Sequence, residues 1–89
     1  MRAIVTVMGI DRKGIIARVS TCLSENNINI LDINQTIMQD LFTMVMSVDM
    51  SDAENKFTQV SQELSEIGDE LGLEIRIQHE AIFRSMHRI

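Results

Sequence analysis

Residues 41–50 read Leu-Phe-Thr-Met-Val-Met-Ser-Val-Asp-Met, and this stretch decides the fold. Phe42, Met44, Met46, Val48 and Met50 alternate with Leu41, Thr43, Val45, Ser47 and Asp49. Successive side chains of a strand point to opposite faces, so one face here is wholly apolar and belongs under a helix layer. The other face is mixed and suits water or a partner. Downstream, Ser51-Asp52-Ala53-Glu54 reads as a capping box, in which Ser51 and Glu54 satisfy each other's free backbone donors. Phe57, Val60, Leu64, Ile67 and Leu71 then recur at three- and four-residue steps, which predicts a helix closed by Gly72. Leu73, Ile75 and Ile77 alternate with Glu74, Arg76 and Gln78 as a last strand.

Upstream, the pattern is repeated more loosely. Arg2 to Met8 is short, β-branched and apolar on both faces, as expected of a central strand. Gly9 and Gly14 bracket a polar turn. Ile15, Ile16, Val19, Cys22 and Leu23 then follow the spacing of one helix face, ended by Asn26-Asn27 because Asn tolerates the left-handed conformation at a helix C-terminus. Ile28 to Ile37 is a second strand whose alternation slips at Ile30-Leu31, predicting a bulge, and Gln39-Asp40 is a hairpin turn. The order is β-α-β-β-α-β within residues 1–80, leaving 81–89 as a tail. There Ile82, Phe83, Met86 and Ile89 are spaced for one or two helical turns. Two such β-α-β units fold most simply into an α+β, ferredoxin-like sandwich, a four-stranded antiparallel sheet with two helices on one face.

Eighty-nine residues make one domain with a thin core, since a chain of this size buries only about 60–65% of its unfolded surface. Association would add burial, so a homo-oligomer is expected. A net charge of −5, with three Phe and neither Tyr nor Trp, argues against nucleic-acid binding, which needs clustered cations or stacking rings. Cys22 is the only cysteine, so neither an intrachain disulfide nor a cysteine-built metal site is expected. The opening residues lead straight into a strand without a signal peptide or membrane-length apolar run, and the expected location is cytoplasmic.

A fold of this kind hosts many functions, so function must be read from a site. An RNA-recognition module needs aromatic residues on the open sheet face, where this chain has Ala3, Val5, Val7 or Leu41, Thr43, Val45. A metal carrier needs two cysteines in the first loop, which has none. An acylphosphatase-like enzyme needs a phosphate-cradling loop that is missing, although Arg12 and Arg18 lie nearby.

Asp11-Arg12-Lys13-Gly14-Ile15-Ile16-Ala17-x-Val19, followed by Leu23 and Asn27-Ile28-Asn29-Ile30, resembles the signature of the ACT domain family. The resemblance extends over residues 3 to about 79, and Lys13 stands where many members carry proline. It implies a stand-alone regulatory module, similar to uncharacterised bacterial single-domain members, that binds a small metabolite such as an amino acid at a homodimer interface. In such dimers strand two of one subunit faces the first loop of the other. The implied ligand-binding set is Asp11, Arg12, Lys13, Gly14 and Ile15 from the loop, with Asn29 and Asp32 from strand two.

The residues agree with part of this. Gly14 lets a ligand approach the backbone, and the amides of the first helical turn carry partial positive charge. Arg12 and Lys13 at that end either await an anion or extend into water. Asp11 reads as a helix cap or Asx-turn residue before it reads as a ligand contact. Asn29 and Asp32 either hold a ligand's amino group or are solvated edge residues that discourage aggregation. Cys22 and the Met-rich strand read as packing, and His79 and His87 as ordinary surface or interface residues. No nucleophile–base pair or carboxylate pair can be assembled, so neither an enzyme nor a bound cofactor is expected. The competing reading is a protein–protein interaction module acting through its dimer surface or its apolar tail, without a small ligand.

Overall fold

Burial alternates residue by residue along the three strands that carry the core, and that alternation fixes the sheet. The computed structural model describes residues 1–86. Its strands are β1 (Arg2–Ile10), β2 (Asn29–Met38), β3 (Leu41–Asp49) and β4 (Leu73–His79), ordered β2-β3-β1-β4 with every neighbouring pair antiparallel. Helices α1 (Ile15–Glu25) and α2 (Phe57–Leu71) make the two crossovers and cover one face. Ala3, Val5 and Val7 of β1, Phe42, Met44, Met46 and Val48 of β3, and Leu73, Ile75 and Ile77 of β4 are buried beneath them. The ferredoxin-like β-α-β-β-α-β sandwich is therefore the fold of this chain.

The helix stripes are nearly those expected. Val60, Leu64 and Ile67 of α2 are buried, with Phe57 and Leu71 packed half-buried at the ends of the stripe. On α1, Ile15, Val19, Cys22 and Leu23 are buried, but Ile16 is 38% exposed. At about 100° per residue Ile16 is turned away from that stripe, whose continuation is the buried Asn26. Asn26 and Asn27 end the helix as a Schellman motif: Ile28 N–H donates to Leu23 O at 3.0 Å and Asn27 N–H to Ser24 O at 3.1 Å. Asn27 takes the required left-handed turn, with φ 59°.

Two local expectations need correction. Ser51 and Glu54 form no capping box. The Ser51 amide and hydroxyl both donate to Asp49 Oδ1, at 2.9 and 2.5 Å, and Glu54 pairs with the N-terminal ammonium at 3.3 Å. A short 3-10 turn, Glu54–Lys56, precedes α2, which has no side-chain cap. Asp49, two residues before Ser51, was the nearer acceptor, and that proximity decided the outcome. Gly9, moreover, is not part of the turn but lies inside β1, paired with Leu73 and Phe42. A Cβ there would come within 2.5 Å of Leu73 Cδ2, so the missing side chain lets β4 seat its first apolar residue.

The bulge falls where β2 slips register, between Ile30 and Asp32, and Gln39 turns the hairpin with φ 59°. The tail residues 80–86 form a short helix, α3 (Glu80–Met86), lying against β1 and β4 on the sheet face opposite α1 and α2. His87 and Ile89, named above, lie outside the described residues.

Candidate functional site

β1 ends at Ile10, and the Asp11 amide donates to Asp40 O at 2.8 Å, continuing toward the β2–β3 hairpin. The chain then turns through Lys13 and Gly14 into α1. Gly14 has φ 87°, ψ 2°, and a Cβ added there would meet nothing within 4 Å. Glycine is required at this position by backbone conformation, and the space beside it is open. The first intrahelical bond runs from Arg18 N–H to Gly14 O at 2.9 Å. The amides of Ile15, Ile16 and Ala17 therefore have no partner inside the helix, and no side chain caps them. Asp11 is consequently not the helix cap its position suggested.

The cations are used differently from expectation. Arg12 Nη1 donates to Leu71 O at 3.2 Å, the last carbonyl of α2. Its charge thus sits at a negative helix end, where it stabilises by about 0.3–1 kcal/mol, rather than straining against the positive end of α1. Arg18 reinforces the same junction with a two-pronged pair to Glu70, at 3.1 and 2.7 Å. That hydrogen bond raises the guanidinium pKa and lowers that of the Glu70 carboxyl. Lys13 makes no ion pair among the described residues and is exposed.

Asn29 and Asp32 are not beside this loop within one chain. The eleven residues of α1, at 1.5 Å rise each, separate its start at Gly14 from the Asn29 end of β2 by about 16 Å. Asn29 pairs with Asp49, at the far end of the sheet from Ile10 and Leu41. It lines a cleft of about 440 Å³ with Ser20, Ser24 and Glu25 of α1. Asp32 is exposed, and its Oδ1 accepts from the Ile33 amide at 2.9 Å, bracing the bulge. Three further open clefts have volumes of about 390–470 Å³, and none of the four is lined by residues 11–15.

A polar cluster between α1 and α2 was not foreseen. Asn26 Nδ2 donates to Cys22 O and to Glu63 Oε2, both at 2.8 Å, and Cys22 Sγ approaches the same carboxylate oxygen at 3.5 Å. Burial, then the hydrogen bond to Glu63, push the thiol up to about 11. The Asn26 amide chiefly holds the Glu63 carboxyl below its ordinary range. The sequence separation of 37 residues hid this contact, although an Asn on the apolar stripe of α1 pointed to a buried polar need. Among the described residues no three His, Cys, Asp or Glu side chains gather as a metal ion requires, and no helix is long and apolar enough to cross a membrane.

Strand order and layering place the molecule in the ferredoxin-like α+β class. Residues 2–78 match the ACT domain profile, and the chain belongs to the ACT domain family, a family of regulatory domains. A UPF0237 protein of Clostridium acetobutylicum is 55% identical over 89 residues, spanning all of both chains. One from Methanocaldococcus jannaschii is 53% identical over 88 residues, 99% of this chain and 98% of that one. An ACT domain protein from Streptococcus pneumoniae, of known structure, is 43% identical and superposes with a TM-score of 0.80 over 93% of both chains.

Proposed function

We propose that this chain is a regulatory module that binds a small carboxylate-bearing metabolite of the amino-acid class between two copies of itself. The ligand lies between the turn of residues 11–15 of one copy and Asn29 and Asp32 of the other. The observation that carries the reading is the first turn of α1: three amides without an internal partner, no side-chain cap, and open space at Gly14. A carboxylate fits such donors, both through hydrogen bonds and through the partial positive charge of a helix start.

Sheet geometry supports the need for a second copy. β2 is an edge strand, and Leu31, Ile33 and Ile37 are exposed along it. Among its ten residues only Asp32 is charged, whereas the other edge, β4, carries Glu74 and Arg76 near its centre. Two-fold pairing of β4 would set Arg76 against its own copy, a repulsion that β2 avoids. Antiparallel pairing of two β2 strands brings the Asn29 end of one beside the Met38 end of the other. Because Met38 pairs with Leu41, and Leu41 with Ile10, that is also the end where β1 enters the turn. Asn29 and Asp32 of the second copy then offer polar acceptors to a ligand's amino group, while the turn takes its carboxylate.

Thermal denaturation of the full chain with each of the twenty amino acids and a nucleotide panel tests this. A true ligand at one hundred times its dissociation constant adds about 2.7 kcal/mol of stability. Gly14→Val is expected to remove that gain; its side chain enters open space, but φ 87° strains the turn by about 1–2 kcal/mol, so the gain is read against the variant's own ligand-free stability. No gain with any compound, or an undiminished gain in Gly14→Val, contradicts the proposal.

A further inference from the structure

Two arginines, one in the turn before α1 and one in its first turns, reach the same end of α2, and they are held very differently. Arg18 takes both oxygens of the Glu70 carboxylate, Nη1 to Oε1 at 3.1 Å and Nη2 to Oε2 at 2.7 Å. Two parallel bonds of this kind are the strong way for a guanidinium to hold a carboxylate. Arg12 makes one hydrogen bond among the described residues, Nη1 to Leu71 O at 3.2 Å. Its acceptor is a neutral carbonyl, the contact is exposed, and it is longer than the roughly 2.8 Å of a guanidinium–carboxylate bond.

Arg12 thus stands near a negative charge that it does not bond. The Glu70 carboxyl is held below its ordinary range first by the hydrogen bond from Arg18, and to a smaller degree by the charge of Arg12. Both of its oxygens are taken by Arg18, so Arg12 feels that charge from a distance and rests on the neighbouring carbonyl instead. A guanidinium carries five N–H donors in a planar fork. A carboxylate arriving at this fork offers what Leu71 O does not, a full negative charge and a second oxygen in the same plane. Of the two arginines, Arg18 is anchored and Arg12 is transferable.

The turn is where such a carboxylate would arrive. From Arg12 to Ile15 the chain spans at most about 10 Å even when extended, and here it bends at Gly14, which keeps Arg12 beside the helix-start amides. At its other end the Arg12 contact meets the point where α2 passes into β4. Leu71 is the last residue of α2, Gly72 follows at φ 71° with its amide bonded to Gly68 O, and Leu73 opens β4. Leu71 O is one of the carbonyls that the end of a helix leaves without an internal partner, so the Arg12 guanidinium satisfies it from outside. Leu73 is buried against Gly9, and β4 is the edge strand opposite β2. One side chain therefore joins the turn to the sheet edge away from β2.

We infer that Arg12 is a latch: it closes on Leu71 O when the turn is empty and moves to the carboxylate of a bound ligand, releasing the junction of α2 and β4. The latch rests on the ligand site proposed above and supplies its regulation, since occupancy of the turn is then reported at Gly72 and Leu73. Arg18, fixed on Glu70, keeps α1 and α2 together in both states. Because two acceptors compete for one side chain, weakening the hold of α2 on Arg12 strengthens ligand binding, and the reverse.

Calorimetric titration of the full chain with each of the twenty amino acids, followed by amide-resolved NMR, tests the latch. Arg12 and Glu70 are exposed, so substitutions there do not reach the core. For an amino acid that binds, Arg12→Gln is expected to weaken binding about fivefold, through loss of a charge-assisted hydrogen bond. Glu70→Gln is expected to strengthen it about two- to fivefold, because the charge that draws Arg12 toward α2 is gone. That gain is expected to vanish in the Arg12→Gln background. The bound amino acid is expected to shift the Gly72 and Leu73 amides of the wild type, and ligand-free Arg12→Gln to show both already displaced in the same direction. Binding that Glu70→Gln weakens or leaves unchanged overturns the inference, as does a gain that persists without Arg12, which is a general effect of charge. Saturation at Ile15, Ile16 and Ala17 with Gly72 and Leu73 unmoved also overturns it, and leaves the ligand proposal standing. Failure of every amino acid to bind the wild type removes the ligand proposal and the latch with it.

Discussion

At the scale of single residues, the side chains that look reactive are engaged in holding the two crossover helices together. Arg12 and Arg18 bind the C-terminal end of α2, and Glu63 serves Asn26 and Cys22. The Cys22 thiol has a definite consequence. Burial is the main reason its pKa rises from 9.0 to about 11, so at pH 8 the native thiolate is about 100-fold scarcer than in the unfolded chain. Iodoacetamide at pH 8 is expected to alkylate native Cys22 at least that much more slowly than the chain in urea; equal rates contradict the burial. The native state binds this proton more tightly than the unfolded one. The associated stability is therefore intact below pH 9 and lost as pH rises through about 11.

At the scale of elements, the endings of helices are governed by backbone conformation more than by side-chain caps. Asn27 at φ 59° tests this cleanly, because its amide makes the 5→2 bond of the Schellman motif whatever side chain it bears. Asn27→Gly is expected to be neutral or slightly stabilising, and Asn27→Val to cost about 1–2 kcal/mol, the penalty of a β-branched residue in the left-handed region. Urea denaturation distinguishes them, and equal stabilities contradict the account. The sequence-based reading succeeded at this level wherever period and terminator agreed. β3, β4 and α2 carried unbroken patterns, and the bulge in β2 was marked by the slip in its alternation at Ile30-Leu31. It failed at Ser51, because a serine two residues after an aspartate has a nearer acceptor than the helix that follows. It also failed at Ile16, because an apolar residue adjacent to the stripe is indistinguishable from one within it until the packing partner is known.

At the scale of the whole molecule, a thin domain exposes two apolar regions in different places, the β2 edge and the open face. The turn at Gly14 was legible from its glycine and its place before a helix. What the turn does was less legible, because Asn29 and Asp32 lie at the other end of the chain's own sheet, and the proposed site joins them to the turn only by way of a second copy. The Arg12 contact with Leu71 was hidden too, since nothing local marks a bond spanning 59 positions. Both cases have one cause: periodicity reports which face a residue occupies, not which distant end of another element arrives there.

The central claim is that unsatisfied amides at the start of α1 receive a small carboxylate. Amide-resolved NMR of the full chain, titrated with the compound giving the largest thermal gain, addresses it directly. The account predicts saturable shifts at Ile15, Ile16 and Ala17 together with Asn29 and Asp32, all following one dissociation constant. Saturation confined to residues elsewhere, with the three helix-start amides unmoved, would contradict it.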